Sequence, residues 1–198
     1  SASITTLSGS GTVALGAIAN HLCGPFRPGH FQGMATVVLK LFEIVRPDRA
    51  YFGEKDAQQL AIVRRLATDF NLGVDVVGVP TVREDDGLAI SSRNVHLSPD
   101  ERGKAVALYR ALQHVDRAIA AGAVDVERLV REAAAAIPAD PALRLEYLEV
   151  VDPIDMQPVA RIAGPVRVAG ALWVGSTRLI DNVLSTPAAD RAGTHAPA

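Results

Sequence analysis

The sequence predicts an α/β fold, in which a domain built on a parallel sheet precedes a small α+β domain with antiparallel strands. A strand, helix, strand pattern spans residues 50–79, and two helical segments followed by three strand signals come after residue 98. The chain has 198 residues, of which 48% are hydrophobic and 21% charged, so it can bury a substantial core. We expect the first domain over residues 1–82, the second over 83–186 and a disordered tail over 187–198.

The first predicted helix begins at Gln32 and ends before Pro47, which cannot continue it. Apolar residues recur along it at i, i+3 and i+4 spacing, which is the pattern of one buried helix face. We expect the following residues to face inward: Met34, Val37, Val38, Leu41, Phe42 and Val45.

A strand, helix, strand unit follows this helix. Residues 50–52 predict a short strand that stops at Gly53, residues 58–70 have the periodicity of a helix, and residues 74–79 predict a strand closed by Pro80. The inward residues of the helix are expected to be Leu60, Val63, Ala67 and Phe70. Such a unit forms parallel strands with a right-handed crossover, and ligands bind beyond the carboxyl ends of such strands.

The pattern changes after residue 94. Ser98 and Glu101 form a capping box with proline at the first helical position, which predicts a helix to about residue 121. A second helix is expected over 125–136, and strands are expected over 144–151, 165–174 and 177–184. We expect Trp173 and Tyr147 to pack this domain, and Arg178 and Asp181 to form structural ion pairs.

Charge and composition exclude several classes of partner. A net charge of −2 provides no basic field for nucleic acid, and no apolar run approaches the roughly 20 residues needed to span a bilayer. The single cysteine, Cys23, cannot form an internal disulfide and has no neighbouring base, so no redox or metal role is expected. Since no signal-peptide pattern is seen, we expect a cytoplasmic protein.

The first residues contain one misleading motif. Residues 1–11 are mostly Ser, Thr and Gly, which predicts a loop or frayed end. Residues 9–14 match the G-x-G-x-x-A dinucleotide pattern, but the preceding strand signal is thin and no strong helix or downstream acidic partner follows. We therefore do not expect a dinucleotide site here.

Two polar segments, F-G-E-K-D at 52–56 and I-S-S-R-N at 90–94, lie where a βα unit directs N–H groups and cations toward a nucleotide. With four further motifs they closely resemble the pantothenate synthetase (pantoate–β-alanine ligase) family. The matching segments are R-P-G-H-F at 27–31, V-R-P-D-R at 45–49, Y-F-G-E-K-D with Q-Q-L at 51–60, V-P-T-V-R-E at 79–84, I-S-S-R-N at 90–94 and T-R-L-I-D-N at 177–182.

The resemblance implies a Rossmann-like nucleotidyltransferase domain, only partly present here, and a small domain that closes over it. It implies that pantoate condenses with β-alanine through a pantoyl adenylate, with use of ATP and Mg²⁺ and release of AMP and pyrophosphate. It also implies a homodimer. No protein side chain is expected to bind the metal.

The resemblance also implies roles for single residues. Lys55 and Arg93 are the cations that stabilise charge on the phosphates during adenylation. Ser91, Ser92 and Arg93 form a mobile phosphate-binding loop, and Val82 contacts adenine through its backbone. The full implied set is Gly53, Glu54, Lys55, Asp56, Val82, Ile90, Ser91, Ser92 and Arg93 for ATP, with Asp56 and Gly53 at the ribose, and Gln59 and His30 for pantoate.

Each of these residues has a structural alternative. Lys55 can be an exposed lysine at a helix start, although a cation in the first turn opposes the helix dipole. Asp56 can cap the following helix, and residues 91–92 can form a solvated turn. His30 can be a partly buried histidine without a catalytic role, and Gln59 can be ordinary surface.

One family signature is missing. Members carry an amino-terminal H-x-G-H segment whose histidines meet the ATP phosphates, and no two of the 5 histidines here have that spacing. We therefore expect the natural start to lie upstream and the chain to turn over negligibly by itself. Two alternatives stay open: a non-catalytic fragment that binds nucleotide or dimerises through its sheet edge, and a different nucleotidyltransferase, which the motif at 177–182 disfavours.

Overall fold

The computed structural model describes residues 6–7 and 11–187, and the chain forms two compact units. Unit 1 comprises residues 1–81 with 154–157, and unit 2 comprises residues 82–153 with 158–198. The domain limits expected from the sequence stay predictions. The expected loop over 1–11 and tail over 187–198 lie largely outside the described residues.

The chain alternates strands and helices first and then forms an antiparallel sheet. Among the described residues, none of the helices has the length and apolar character required to cross a bilayer. In chain order the elements are β1 (Thr6–Leu7), β2 (Val13–Ala14), α1 (His30–Val45), β3 (Arg49–Gly53), α2 (Ala57–Asp69), β4 (Asp75–Val79), α3 (Pro99–Ala105), α4 (Ala107–Ala120), α5 (Val126–Ala135), β5 (Leu143–Val151), β6 (Val166–Val174) and β7 (Thr177–Ser185).

The parallel pair predicted in the first half is confirmed. β3 pairs with β4 in parallel, from Arg49 opposite Asp75 to Gly53 opposite Val79, and α2 connects the two strands. β1 and β2 pair antiparallel. Residues 13–14 are therefore extended, and they do not begin the helix that a dinucleotide-binding loop requires.

Helix α1 is present, but its expected buried face is only partly confirmed: Phe42 is buried, Met34 and Val38 are half-buried, and Val37, Leu41 and Val45 are exposed. Its buried residues are Phe31, Ala35 and Phe42, and α1 packs against α2. The helix is apolar around most of its circumference, so periodicity could not select the packed side. Instead, an exposed stripe runs along it, formed by Val37 (57% exposed), Leu41 (51%), Ile44 (79%) and Val45 (65%).

Helix α2 supplies most of the core of unit 1. Leu60 and Val63 are buried as expected, whereas Ala67 and Phe70 are only half-buried. The other buried aliphatic side chains of α2 are Ala57, Ala61, Ile62 and Leu66. The helix therefore presents a continuous apolar side to the rest of unit 1, and this fixes the residues at its amino terminus.

Unit 2 begins its helical part as expected, since Ser98 and Glu101 form the capping box and Pro99 is the first helical residue. The single helix expected to residue 121 is wrong. It is interrupted at Val106, whose N–H bonds to the carbonyl oxygen of Lys104 and tightens the turn there. The chain therefore forms two helices, α3 and α4, although the sequence shows one continuous helical periodicity over these residues.

The three-stranded antiparallel sheet expected in the second half is confirmed, with strand order β5, β6, β7. Helix α4 packs on β6 and β7, and α5 packs on β5. The approach is close at Gly170 in the central strand, where a β-carbon would lie 2.8 Å from Cδ1 of Leu108. This helix layer and the nearly buried β6 form the core of unit 2.

Candidate functional site

The first candidate segment lies at the carboxyl end of β3, in unit 1. A 3-10 turn, Glu54–Asp56, joins Gly53 to α2. Because Gly53 is in register with Val79, the residues that follow β3 and β4 share one edge of the sheet. Lys55 is half-buried in this turn and Asp56 is exposed. The Asp56 side chain stands at the N-cap of α2 but makes no capping hydrogen bond, so capping does not occupy its carboxylate.

Two glycines shape this edge. No described heavy atom lies within 4 Å of the point where a β-carbon on Gly53 would be, so a ligand can approach the backbone there. Gly78 is crowded instead, because its β-carbon would lie 3.0 Å from Oε1 of Glu54 and 3.1 Å from Nη2 of Arg64. Glycine at 78 therefore lets a carboxylate and a guanidinium lie against β4.

Two neighbouring glutamines on α2 have different environments. Gln59, expected to bind pantoate, is half-buried. Gln58 is buried and its amide binds the segment 18–23: Nε2 donates to the carbonyl oxygens of Ile18 (2.9 Å) and His21 (2.8 Å), and Oε1 accepts from the N–H of Cys23 (3.0 Å). Gln58 therefore fixes this loop on α2.

His30 is the first residue of α1, and a cavity of about 280 Å³ lies beside it in unit 1. The half-buried imidazole lies 2.8 Å, at Nε2, from Nη1 of Arg27. Arg27, Gly29 and Gln32 are among the residues that line the cavity. A guanidinium at the amino terminus of a 16-residue helix favours an anionic ligand in this cavity.

The second candidate segment lies in unit 2 and begins with a tight hairpin over residues 82–90. Glu84 donates its N–H to the carbonyl oxygen of Leu88 (2.9 Å), and Ile90 donates its N–H to the carbonyl oxygen of Val82 (2.9 Å). The side chains of Val82 and Ile90 are exposed, at 65% and 55%. The carbonyl oxygen of Val82, one of the two backbone groups with which adenine could bond, already accepts one hydrogen bond.

The loop 91–94 follows this hairpin directly. Ser91 Oγ accepts from the N–H of Arg93 (3.2 Å), and the N–H of Asn94 donates to the carbonyl oxygen of Ser91 (3.0 Å). Ser92 and Arg93 are exposed and begin a five-residue 3-10 helix. The loop thus presents the Ser92 hydroxyl and the Arg93 guanidinium to solvent, with the half-buried Ser91 hydroxyl beside them, and these donors suit a phosphate.

Two groups at these segments were missed by sequence reasoning. Arg83 forms a bidentate ion pair with Asp181, with Nη1 and Nη2 at 2.6 Å and 3.0 Å from the carboxylate oxygens. Asp181 was expected to pair structurally, but its partner is 98 positions away and no local spacing reveals it. The contacts of Gln58 with the segment 18–23 were also missed, because the sequence does not distinguish a buried glutamine from the half-buried Gln59.

Four carboxylates of unit 2, Asp86, Glu101, Asp140 and Glu146, have pKa values held below their usual ones. Burial raises the pKa of Glu146, but hydrogen bonds from Arg178 and Trp173 outweigh it and hold this pKa below its usual value. The hydrogen bond from Arg102 lowers the pKa of Asp86. In the described ranges, no group of three or more His, Cys, Asp or Glu side chains is arranged to hold a metal ion.

A family model described as pantoate-beta-alanine ligase matches residues 4–184. The pantothenate synthetase of Heliobacterium modesticaldum is 55% identical over 163 residues, covering 82% of this chain and 58% of that protein. The bifunctional pantoate ligase/cytidylate kinase of Synechococcus elongatus is 53% identical over 162 residues, covering 82% of this chain and 31% of the relative. The chain thus spans 58% to 62% of the first pantothenate synthetases that it matches.

Solved structures agree with these matches. Pantothenate synthetase from Thermus thermophilus superposes with a TM-score of 0.82 at 48% identity, covering 87% of this chain and 62% of that one. The pantoate-beta-alanine ligase of Francisella tularensis, complexed with beta-gamma ATP and beta-alanine, superposes with a TM-score of 0.62 at 34% identity, covering 84% and 55%. The parallel strand pair and the antiparallel three-stranded sheet of this chain match the fold of these pantothenate synthetase structures.

Proposed function

Because the chain belongs to the pantoate-beta-alanine ligase family, we propose that it takes part in the ATP-dependent condensation of pantoate with β-alanine. A carboxylate oxygen of pantoate attacks the α-phosphorus of ATP, the bond to pyrophosphate breaks, and a pantoyl adenylate forms. The amine of β-alanine then attacks the acyl carbon, AMP leaves with the electron pair of the broken bond, and the amine loses a proton.

The observation that carries the proposal is the turn Glu54–Asp56 at the carboxyl end of a parallel strand, beside the open backbone of Gly53. In the proposed site Gly53 and Asp56 bind the ribose, since a carboxylate accepts hydrogen bonds from two hydroxyls. Lys55 stabilises the charge that develops on the phosphates during adenylation. Glu54, packed against Gly78, holds this turn on the sheet.

The second segment supplies the remaining ATP contacts in the proposal. Ser91, Ser92 and Arg93 bind phosphate oxygens through two hydroxyls and a guanidinium. Val82 and Ile90, whose side chains are exposed, lie at the edge of the proposed adenine site. We assign Lys55 and Arg93 as the two catalytic cations, because each is the cation of one of the two segments proposed to bind the phosphates.

The organic acid substrates are proposed to bind in unit 1. Gln59 hydrogen-bonds pantoate, and His30 borders the same cleft. The cavity next to His30 supports this assignment, because Arg27 lines it and a guanidinium pairs well with a carboxylate.

Mg²⁺ fits the proposed site through the nucleotide. It would neutralise phosphate charge when bound, as a hard cation that is usually held by phosphates, water and one or two carboxylates. Asp56 is assigned to the ribose in this proposal, so phosphate oxygens and water would hold the metal without a protein side chain. Cytoplasmic location and a homodimeric state stay predictions from the family.

A second function, nucleotide binding without turnover, is favoured by the histidine pattern. None of the 5 histidines has the H-x-G-H spacing. Loss of one oxyanion donor lowers kcat by about 10²–10³ in enzymes that rely on such donors. We therefore propose, as this second function, that the chain by itself binds ATP weakly and turns over negligibly.

The test measures ATP affinity and pantothenate formation from ATP, pantoate and β-alanine with Mg²⁺. Replacement of Lys55 with alanine is expected to weaken ATP binding about 10- to 100-fold, because a charge-assisted hydrogen bond contributes about 1.5–3 kcal/mol. Any product formed by the chain is expected to fall by about 10²–10³. Lys40→Ala is the matched control, since Lys40 is a lysine on α1, away from the turn Glu54–Asp56 in the sequence.

The outcomes separate the two functions. Product formed by the native chain and by Lys40→Ala, but lost in Lys55→Ala, supports the ligase. Equal product from all three proteins indicates host enzyme and supports no activity of this chain. ATP binding that depends on Lys55 without product supports the nucleotide-binding fragment, and no ATP binding contradicts both functions.

A further inference from the structure

The hairpin 82–90 and the loop 91–94 need anchoring by side chains. The hairpin has only a few backbone hydrogen bonds, such as those from Glu84 to Leu88 and from Ile90 to Val82. An isolated two-stranded hairpin is marginally stable in water. The loop that follows carries Arg93, which is exposed. The position of Arg93 therefore depends on what holds the hairpin, together with the contact between β7 and the 3-10 helix that carries Arg93.

Arg83 is the side chain that joins the hairpin to the body of unit 2. Its guanidinium binds both carboxylate oxygens of Asp181 in β7, and it donates to the carbonyl oxygen of Asn182 (3.2 Å). It also donates to the carbonyl oxygen of Gly87 (3.0 Å), across the hairpin itself. Its Cζ lies 4.0 Å from the centroid of the Tyr109 ring on α4. Arg83 thus holds the hairpin, β7 and α4 in one arrangement.

Because the Arg83–Asp181 pair is largely buried, its main effect is to fix the position of the hairpin. The side chains of Arg83 and Asp181 are 19% and 6% exposed, and Oδ1 of Asp181 also accepts from the N–H of Asn182 (2.8 Å). A buried ion pair adds little net stability because desolvation offsets the attraction, and its best-attested contribution is to fix one arrangement. Breaking it leaves a buried charge, so alternative positions of the hairpin are disfavoured.

The hairpin in turn holds the loop. The Asn94 side chain donates from Nδ2 to the carbonyl oxygen of Ala89 (3.1 Å), which ties the end of the loop to the hairpin. We propose that Arg83 and Asp181 are positioning residues that set the loop 91–94, and with it Arg93, for phosphate binding. The phosphate ligand in this proposal rests on the proposed function, whereas the positioning of the loop does not.

A second group of ion pairs, centred on Arg102, also contacts the hairpin. Arg102 binds Glu84 (2.6 Å) and Asp86 (2.7 Å), and its side chain is 29% exposed. This group of ion pairs is more exposed than the Arg83–Asp181 pair, so solvent screens it more strongly. We expect it to keep the hairpin folded when the buried pair is broken, but not to fix its position.

The same sheet offers a matched control pair. Glu146 and Arg178 have side chains that are 7% and 16% exposed, close to the values for Asp181 and Arg83. Arg178 donates from Nε to Glu146 (2.8 Å) and joins β7 to β5 within the sheet. Glu146→Gln therefore removes a carboxylate from an equally buried pair without removing an anchor of the hairpin.

The experiment compares Asp181→Asn with Glu146→Gln by native-state hydrogen exchange and by denaturant unfolding. We expect both to lose stability, but only Asp181→Asn to exchange the amides of Glu84 and Ile90 at least about tenfold faster. Arg83→Lys keeps the charge but loses bidentate geometry and stacking, so it should act in the same direction even if Asp181→Asn folds poorly. Equal exchange in all variants would overturn the proposal.

ATP affinity tests the phosphate part separately. We expect Asp181→Asn to bind ATP at least about fivefold more weakly and Glu146→Gln to stay within about twofold of the native chain. Faster exchange with unchanged affinity would contradict a role in phosphate binding. If the native chain binds no ATP, the proposed function fails, and the exchange comparison still decides whether the pair positions the loop.

Discussion

Replacement of Gln58 with alanine is expected to lower the free energy of unfolding by about 3–5 kcal/mol. The Gln58 side chain satisfies two carbonyl oxygens and one N–H in the segment 18–23, and it is only 5% exposed. Each buried group left without a partner costs about 1–3 kcal/mol, and alanine replaces none of the three contacts. A loss of this size puts the change among the most destabilising that one polar residue can cause.

Denaturant unfolding of Gln58→Ala and Gln59→Ala measures this effect with a neighbouring control. Gln59 is half-buried, and its replacement is expected to change stability by less than about 1 kcal/mol. Cys23 gives an independent reading, since it is 6% exposed and its N–H binds Gln58. Its reaction with a thiol reagent should accelerate at least about tenfold only in Gln58→Ala. Equal stability of the two variants would show that the amide contacts are dispensable.

Gly87→Ala is expected to lower the free energy of unfolding by about 3 kcal/mol. The backbone at Gly87 has φ of +97°, which costs a residue with a β-carbon about 1–2 kcal/mol. Its β-carbon would also lie 2.2 Å from Cδ1 of Tyr109, an overlap that adds about 1–3 kcal/mol. The ring cannot shift freely, because Arg83 stacks on it at 4.0 Å.

The matched control for this change is Gly103→Ala, also in unit 2. Gly103 lies within α3, and a β-carbon there would meet no described atom within 4 Å. Alanine in a helix interior is favoured over glycine by about 0.5–1 kcal/mol, so this variant should be slightly more stable. Thermal or denaturant unfolding compares the two. A Gly87→Ala protein as stable as Gly103→Ala would rule out the close contact with Tyr109.

The sequence predicts the elements of this fold better than their packing. Alternating residues and turn signals predict β5 to β7 and the parallel β3–β4 pair, because strand period and strand ends are local properties. The buried side of α1 is not local, since Val37 and Leu41 belong to an apolar pattern that extends around the helix. The break at Val106 is also invisible, because one helical period continues through it.

The candidate site shows the same division. Lys55 and Arg93 are recognised by motif, and the strand end at Gly53 follows from the strand, helix, strand pattern. The pairing of Arg83 with Asp181 depends on tertiary structure, since these residues are 98 positions apart. Sequence reasoning therefore identifies the residues proposed to meet a ligand, but not those that hold them in place.

The exposed stripe of α1 bears on how the protein behaves at high concentration. Val37, Leu41, Ile44 and Val45 present branched aliphatic side chains to solvent along one helix. Sulfate and phosphate salts strengthen the association of such surfaces, because these ions are excluded from apolar surface. Light scattering from the native chain should therefore rise with ammonium sulfate well before that of a Leu41→Lys variant, and purification in low-sulfate buffers should keep the protein dispersed.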